Sequence, residues 1–176
     1  MAARCHVLGP TDRMRYSPGS LLMIVSASRE ARDAFAERVL EDPAPLLSLD
    51  KVRGLLAGRV AQEDVEPRAA QLLDAAVAKR LEAGQTVVIA AEGLGPEERE
   101  HFVRMAFGVK RPRHLILLDT GRDQVADDDR AALNELRRAL DTGEVGAEGF
   151  QTAMRLGGAS IGELLRIVFR PAPRED

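Results

Sequence analysis

The sequence predicts an α/β fold in which a mostly parallel, five-stranded sheet lies between two layers of helices, a three-layer αβα sandwich. Short apolar runs bounded by turn residues recur along the chain, and each has the length of a buried strand. Segments with apolar residues at 3.6-residue spacing separate these runs. This alternation indicates right-handed crossovers and a parallel sheet that is covered on both faces.

The first strand is predicted at residues 21–25, where five apolar residues follow one another. Residues 29–41 have the periodicity of an amphipathic helix, and Pro43 ends it. A second strand at residues 46–49 leads into a short helix at residues 51–56.

The clearest helix is predicted at residues 67–83, because apolar residues line one face and Gly84 supplies a stop. The next strand is predicted at residues 86–90. Residues 96–108 follow as a helix that opens with proline and two glutamates, which suit the positive end of a helix dipole. The remaining elements are a strand at 114–118, helices at 127–140 and 148–156, and a final strand at 164–169.

The length of 176 residues favours one domain with its own core. We assign that domain to residues 18–170, preceded by an arm at residues 1–17 and followed by a tail at residues 171–176. Because both end segments lie outside the predicted core, they are the expected docking pieces for a partner.

Composition excludes several classes of function. The formal net charge of −3 does not favour nucleic acid as the partner, although the basic residues at 110–114 could contact phosphates locally. No apolar run approaches the roughly 20 residues that span a bilayer. The single cysteine, Cys5, cannot form an internal disulfide. We therefore expect a cytoplasmic protein with no membrane partner.

Several segments in the first two thirds of the chain resemble the polynucleotide-kinase-like P-loop family. They are the strand entry at residues 18–25, the segment Ser48-Leu49-Asp50-Lys51-Val52-Arg53, the strand at 84–88, the turn at 94–99 and the strand end Leu117-Leu118-Asp119. The resemblance implies a P-loop-kinase-like fold. It also implies ATP-dependent kinase activity, with Mg-ATP as cofactor if the site is retained.

The segment after the first strand departs from the family pattern. The family has glycines followed by Lys-Ser/Thr, whereas this chain has no glycine between Ser26 and Asp33. Glycines allow the loop to close its backbone N–H groups around phosphate. Arg32 takes the place of the lysine, Asp33 replaces the hydroxyl that would bind magnesium, and Glu30 adds negative charge. The segment therefore predicts a degenerate Walker A loop that is poorly suited to ATP.

A second departure follows the third strand, where the family's strand-end acidic residue has become Ala90 and the next acidic residue is Glu92. Asp50 is kept, at the position of the family's general base. Its alternative role is the N-cap of the helix that follows. If the protein is active, we expect Asp50 to act as general base and Asp33 to contact the metal.

Six residues are predicted to bind nucleotide or another anion. Around the loop they are Ser26, Ser28, Arg29 and Arg32, next to a helix N-terminus that favours negative charge. Arg130 and Arg137 lie where such kinases carry a lid, and their spacing of seven places them on one helical face. The alternative for all four arginines is ordinary pairing with neighbouring acidic residues.

Three hypotheses of function follow. The first is a pseudokinase-type protein that has no cofactor and acts by binding a protein partner or by forming homo-oligomers. The second is an active ATP-dependent phosphotransferase, acting on a nucleotide or on a polynucleotide 5′-hydroxyl group, with a non-standard loop. The third is a sensor that binds nucleotide or anion without hydrolysis.

Overall fold

The computed structural model describes residues 6–8, 13–120 and 125–171, with only the backbone of residues 6–8. Eight strands run in chain order: β1 (His6–Leu8), β2 (Arg13–Tyr16), β3 (Leu21–Ser26), β4 (Leu46–Leu47), β5 (Val87–Ala90), β6 (Arg113–Asp119), β7 (Thr152–Gly157) and β8 (Arg166–Phe169). Six α-helices accompany them: α1 (Arg29–Val39), α2 (Leu49–Leu56), α3 (Gln62–Glu82), α4 (Pro96–Gly108), α5 (Asp127–Thr142) and α6 (Ser160–Glu163). A short 3₁₀ helix, Glu144–Gly146, follows α5.

Six of these strands form one parallel sheet in the order β1-β7-β6-β3-β5-β4. Every residue of the central strand β3 is buried. The predicted α/β class with a mostly parallel sheet is confirmed, but the sheet has six described strands rather than five.

Two of the six strands, β1 and β7, are not among the five predicted ones, and the predicted final strand at 164–169 forms β8, which lies outside this sheet. At residues 148–156 the sequence predicts a helix. Instead, residues 152–157 form β7, which pairs in parallel with both β6 and β1. A short apolar segment does not distinguish strand from helix by its periodicity, so partner strands decide its conformation. The predicted helix at 148–156 is therefore wrong.

Part of the predicted N-terminal arm belongs to the sheets. Residues 6–8 pair with β7, and β2 pairs in parallel with β8 in a separate two-stranded sheet, called the β2–β8 ribbon below. Met14 and Tyr16 are buried. The prediction that the arm lies outside the core is therefore wrong for residues 13–16, and residues 6–8 form a strand of the main sheet. Residues 1–5, 9–12 and 172–176 lie outside the described part of the chain.

The core occupies both faces of the main sheet. On one face, α3, α4 and α5 bury apolar side chains, and Leu73, Phe102 and Leu136 are examples. On the other face, Phe35 of α1 packs against β3 and the β2–β8 ribbon. No helix among the described residues is long and apolar enough to cross a membrane.

Most predicted helices form, with shifted ends. Helix α3 begins five residues before the predicted start at Pro67, which lies inside the helix. Gly143, with a φ of 78°, ends α5 in the left-handed conformation that glycine adopts readily. Because β3 is parallel to both β5 and β6, the carboxyl ends of these three strands lie at one edge of the sheet, where parallel α/β folds bind ligands.

Candidate active site at the carboxyl edge of the sheet

The connection between β3 and α1 consists of two residues only, Ala27 and Ser28. Ser28 caps the helix, because its hydroxyl accepts a hydrogen bond from the backbone N–H of Ala31 at 3.1 Å. The N–H of Ser28 donates to the hydroxyl of Ser26 at 3.1 Å, and the N–H of Arg32 donates to the carbonyl of Ser28 at 3.0 Å. Both predicted anion-binding serines therefore hold the chain's own backbone.

Arg32 is the largest fully buried side chain at this edge, with 1% of its surface exposed. Its Nη1 donates to the carbonyl oxygen of Ala91 at 2.6 Å, at the end of β5. Its Nε donates to Asp33 at 2.9 Å and its Nη2 donates to Asp50 at 3.2 Å. Arg32 thus connects α1 to the loop after β5 and to α2, and its guanidinium is surrounded by acceptors from the same chain.

Two further arginines join this group. Arg29 pairs with Asp50 at 3.3 Å and with Glu92 at 2.8 Å, and Arg53 pairs with the same two carboxylates at 2.8 Å each. We call these residues and Arg32 the arginine–carboxylate cluster. It joins the start of α1, the helix α2 and the loop after β5.

Asp50 lies at the centre of this cluster and accepts hydrogen bonds from all three arginines. Its partial burial acts to raise the pKa of the carboxyl, but the hydrogen bonds from Arg32 and Arg53 and the charge of Arg29 outweigh burial and hold the pKa below its usual value. Asp50 is not the N-cap of α2. That role belongs to Ser48, whose hydroxyl accepts from the N–H of Lys51 at 3.1 Å, so the alternative reading of Asp50 as a cap is wrong.

Asp33, predicted to contact a metal only in an active enzyme, is half-exposed and pairs with Arg32 at 2.9 Å. Within residues 13–120 and 125–171, no three His, Cys, Asp or Glu side chains are grouped so that they could hold a metal ion. The only group that Asp33 could offer to a metal ion is therefore a carboxylate that already pairs with the guanidinium of Arg32.

Glu98 shapes the loop that presents Glu92. Its carboxylate accepts hydrogen bonds from the backbone N–H of Glu92 at 2.9 Å and of Gly93 at 3.3 Å. Burial raises the pKa of Glu98, and the two backbone donors only partly oppose that shift. By accepting these two hydrogen bonds, the partly buried Glu98 fixes the backbone of residues 92–93 in the conformation in which Glu92 faces Arg29 and Arg53.

The two predicted lid arginines lie in different environments. Arg137 donates to Asp119 at the end of β6, through Nε at 2.9 Å and also through Nη2, while Arg155 of β7 contacts the same carboxylate at 2.6 Å. Arg130 is exposed and pairs within its helix with Asp127 at 3.3 Å. Partial burial acts to raise the pKa of Asp119, but the hydrogen bonds from Arg137 and Arg155 and their charges lower it overall. The structure does not bring Arg130 and Arg137 to the arginine–carboxylate cluster.

The basic residues 110–114 lie at the amino end of β6, at the opposite edge of the sheet, and the last two of them belong to the strand. Arg113 is buried and donates to the carbonyls of Gly149 and Arg111, both at 2.7 Å, and His114 is buried beside Thr152 at 2.6 Å. These two residues are structural.

Arg53 and Arg155 are not among the site residues predicted from the sequence, and Glu92 is noted there only as the next acidic residue after Ala90. The spacing of three between Asp50 and Arg53 on one helix was a detectable signal for the first of them. Arg155 lies on the strand that the sequence analysis takes for a helix, so no signal placed it next to Asp119.

Comparisons with known proteins agree with this architecture. The chain matches the family AAA_33, described as an AAA domain, over residues 33–139, which is more than half of its length. The match begins at Asp33, inside α1. No curated protein matches the chain.

Three solved structures are similar to this chain, and the first of them has a TM-score above 0.5. One is from the PezAT chromosomal toxin–antitoxin system of Streptococcus pneumoniae, with 11% identity and a TM-score of 0.55 over 82% of this chain and 69% of the other. A Mycobacterium tuberculosis APS kinase, CysC, has 11% identity and a TM-score of 0.43 over 81% and 90% of the two chains. A Sinorhizobium meliloti gluconokinase has 14% identity and a TM-score of 0.46 over 85% and 91%. The family match covers more than half of the sequence, and the α/β architecture agrees with it. The chain therefore belongs to the AAA_33 family of AAA domains and has a P-loop kinase-like fold.

Proposed function

We propose that this chain is a non-catalytic member of the P-loop kinase-like class and acts by binding a protein partner. The observation that carries the proposal is the buried side chain of Arg32. It occupies the space between the start of α1 and the ends of β3 and β5, and it bonds to Ala91 and Asp50 of its own chain. In a working P-loop, this space and the surrounding N–H groups serve phosphate.

The backbone around the loop supports the same proposal. A phosphate cradle needs free N–H groups that point into one concavity. Here the N–H groups of Ser28, Ala31 and Arg32 already donate to Ser26 and Ser28. Since α1 begins at Arg29, the residues that would form the later part of a cradle are wound into a helix.

The electrostatics disfavour a triphosphate. Four carboxylates, of Glu30, Asp33, Asp50 and Glu92, lie on the first turns of α1 and α2 and on the loop after β5. Three of them pair with the arginines of the cluster, so the arginines that could attract phosphate already have partners. A bound triphosphate would have to break these pairs and would then lie beside the released carboxylates.

Asp50 is poorly suited to be a general base. A base works best when its pKa lies near the operating pH, whereas three arginines hold the pKa of Asp50 below its usual value. Its oxygens are also occupied by hydrogen bonds from Arg29, Arg32 and Arg53. The residues present therefore do not fit Mg-ATP, and we assign no phosphoryl-transfer step to them.

Calorimetric titration with Mg-ATP, and with ATP alone, tests the proposal. We expect no binding tighter than about 100 μM, which corresponds to roughly −5.5 kcal/mol. A P-loop kinase with an intact loop, titrated under the same conditions, is the control for the sensitivity of the measurement. Tighter binding would contradict the proposal and favour a nucleotide sensor. Turnover of ATP that Asp50→Ala abolishes would favour the phosphotransferase.

A further inference from the structure

Three cations near the amino end of β6 have no carboxylate partner among the residues that the structure describes: Lys110, Arg111 and Arg113. The two arginines donate to backbone carbonyls instead, Arg111 to Leu81 at 3.0 Å and Arg113 to Gly149 at 2.7 Å. Lys110 is exposed, and its side chain makes no hydrogen bond or ion pair within the described part of the chain. The fold therefore does not neutralise these charges, in contrast to those of the arginine–carboxylate cluster.

The backbone of Lys110 shows that the lysine has no structural advantage at its position. Among the described residues it is the only one other than glycine with a positive φ, of 58°. It ends α4 in a Schellman motif, in which its N–H donates to Phe107 at 3.0 Å and the N–H of Arg111 donates to Ala106 at 2.9 Å. Glycine adopts this conformation without the steric penalty of a Cβ. Lysine is therefore less favourable than glycine here, and no contact of its side chain within the described fold offsets the difference.

A groove of about 450 Å³ adjoins these cations. Phe107, at its wall, is 67% exposed, and the guanidinium of Arg113 lies over its ring, 5.4 Å from the centroid. Residues 101–118 contain no acidic residue, and none of the residues that line the groove is acidic. We call this groove, with its exposed ring and its cations, the α4–β6 groove. Its lining residues are Phe107, Gly108, Lys110, Arg111, Pro112, Arg113 and Gln151.

We propose that the α4–β6 groove binds a short acidic segment of a protein partner, with an aromatic side chain of that segment against Phe107 and its carboxylates beside Lys110 and Arg111. Aromatic pairs contribute more to binding than the area they bury, and aromatic anchors recur at the centres of protein interfaces. Carboxylates supply the negative charge that the groove lacks. This proposal rests on the proposed function, because it names the chemistry of the protein partner and the place where it binds.

Single-stranded nucleic acid fits this groove less well than a short acidic peptide. Its binding uses a positively charged track along several phosphates and aromatic rings for successive bases. The groove has one aromatic ring, and Arg113 lies over that ring. Exposed acidic residues also flank the groove in the chain, Glu82 next to the residue that Arg111 contacts and Glu100 on α4. The positive surface therefore suits a short acidic segment better than a long polyanion.

Fluorescence anisotropy with defined probes tests the proposal on the full chain. The probe is a labelled peptide of about six residues, roughly 20 Å when extended, in which one Phe lies among three Glu. The comparison probes are the same peptide with Gln for Glu, the same peptide with Ala for Phe, and a single-stranded oligothymidine. We expect the acidic peptide to bind most tightly, and its affinity to fall as salt is raised.

Two substitutions locate the binding site, each with a matched control. Phe107→Ala removes the ring, and its control is Leu72→Ala on α3, a side chain that is 49% exposed. Lys110→Gly removes the charge, and its control is Arg68→Gln, an exposed charge on α3. We expect Phe107→Ala and Lys110→Gly each to weaken peptide binding by roughly fivefold, which corresponds to about 1 kcal/mol, and both controls to leave it unchanged.

Lys110→Gly also separates loss of a ligand contact from damage to the fold. Because glycine removes the steric penalty at the positive φ, we expect the melting temperature of this variant to rise while its affinity for the peptide falls. A fall in both would attribute the weaker binding to the fold and would count against the proposal. Circular dichroism and thermal unfolding of all four variants supply this comparison.

Three further outcomes would overturn the proposal. They are binding of the Gln or the Ala peptide as tight as that of the acidic peptide, equal losses in the control variants, and tighter binding of the oligothymidine with loss in Phe107→Ala, which would assign the groove to nucleic acid. None of them changes the Mg-ATP titration. Failure of the acidic peptide to bind would remove this proposal and leave the non-catalytic one standing, while tight binding of Mg-ATP would remove the non-catalytic one whatever the peptide does.

Discussion

Replacing Arg32 by alanine should destabilise the protein far more than removing an ordinary helix arginine. The change deletes a side chain that is 1% exposed and donates to three acceptors. Of these acceptors, the carbonyl of Ala91 is the most deeply buried, and an unsatisfied buried acceptor costs about 1–3 kcal/mol. Asp50 retains its hydrogen bonds from Arg29 and Arg53 in this variant. The free energy lost at Asp50 is therefore smaller than the loss on breaking an isolated buried ion pair.

The expected loss for Arg32→Ala is therefore about 3 kcal/mol, including the space left by the side chain. Arg32→Met keeps the volume of the stem but not the donors, and we expect it to lose about 2 kcal/mol. The matched control is Arg104→Ala on α4, which is exposed and pairs with Glu100 at i,i+4. That variant should lose no more than about 0.5 kcal/mol.

Urea unfolding followed by circular dichroism measures these differences from the midpoint, provided that the slope m is unchanged. A loss of about 3 kcal/mol should also lower the melting temperature by roughly 6–12 °C in a chain of this size. If Arg32→Ala behaved like Arg104→Ala, Arg32 would not be held by its neighbours, and the main support for the proposed function would be gone.

Three further perturbations test other parts of the fold. Burial, helped by the charge of Arg113, lowers the pKa of His114 to about 4, so the folded state disfavours the proton. The free energy of unfolding should therefore fall by about 3 kcal/mol as pH drops from 6.5 to 4. Urea unfolding at each pH should show a weaker dependence on pH in His114→Asn, and an equal dependence in both proteins would refute this. Gly149→Ala should lower the free energy of unfolding by about 2 kcal/mol in the same assay, because φ is 109° and the new Cβ would lie 2.7 Å from Val103. An unchanged midpoint of urea unfolding would contradict this backbone geometry. Asp119→Asn should lower stability at pH 7 and have less effect as pH falls. The pKa of Asp119 is lowered overall, so the carboxylate stabilises the fold only while it is charged, and protonation removes this contribution. An effect of the substitution that did not depend on pH would mean that the charge of Asp119 is irrelevant to stability.

Local patterns predict the elements that local interactions define. The apolar run at residues 21–25 becomes the buried strand β3, and the helix that opens at Pro96 begins and ends as predicted. Strand β7 could not be predicted because its conformation depends on pairing with β6 and β1, which are distant in the chain. The same limit applies to β2, whose partner β8 lies at the other end of the sequence.

Three residues of the candidate site were predictable from the sequence, but their contacts were not. Arg29, Arg32 and Asp50 stand out because they lie at strand ends, where parallel sheets carry function. However, Arg32 and Asp50 are 18 residues apart, and Arg29 and Glu92 are 63 apart, so their pairing depends on the packing of α1, α2 and the β5–α4 loop. A sequence can thus indicate that charged residues lie at the carboxyl edge of the sheet without showing whether they are free to bind a ligand or form ion pairs with one another.

The proposed non-catalytic role is consistent with the structural use of several residues at this edge of the sheet. The serines cap α1 and its preceding turn, and Arg32 bonds to the loop after β5. Helix α2 has no buried residue of its own, so Asp50 and Arg53 in the arginine–carboxylate cluster contribute to holding it against the rest of the site. Restoring lysine alone at position 32 would keep the charge but lose the fork of donors, and it would not release the N–H groups already bonded to Ser28. We therefore expect Arg32→Lys to lose stability without gaining affinity for Mg-ATP, and a gain in affinity would mean that the arginine side chain alone blocks nucleotide.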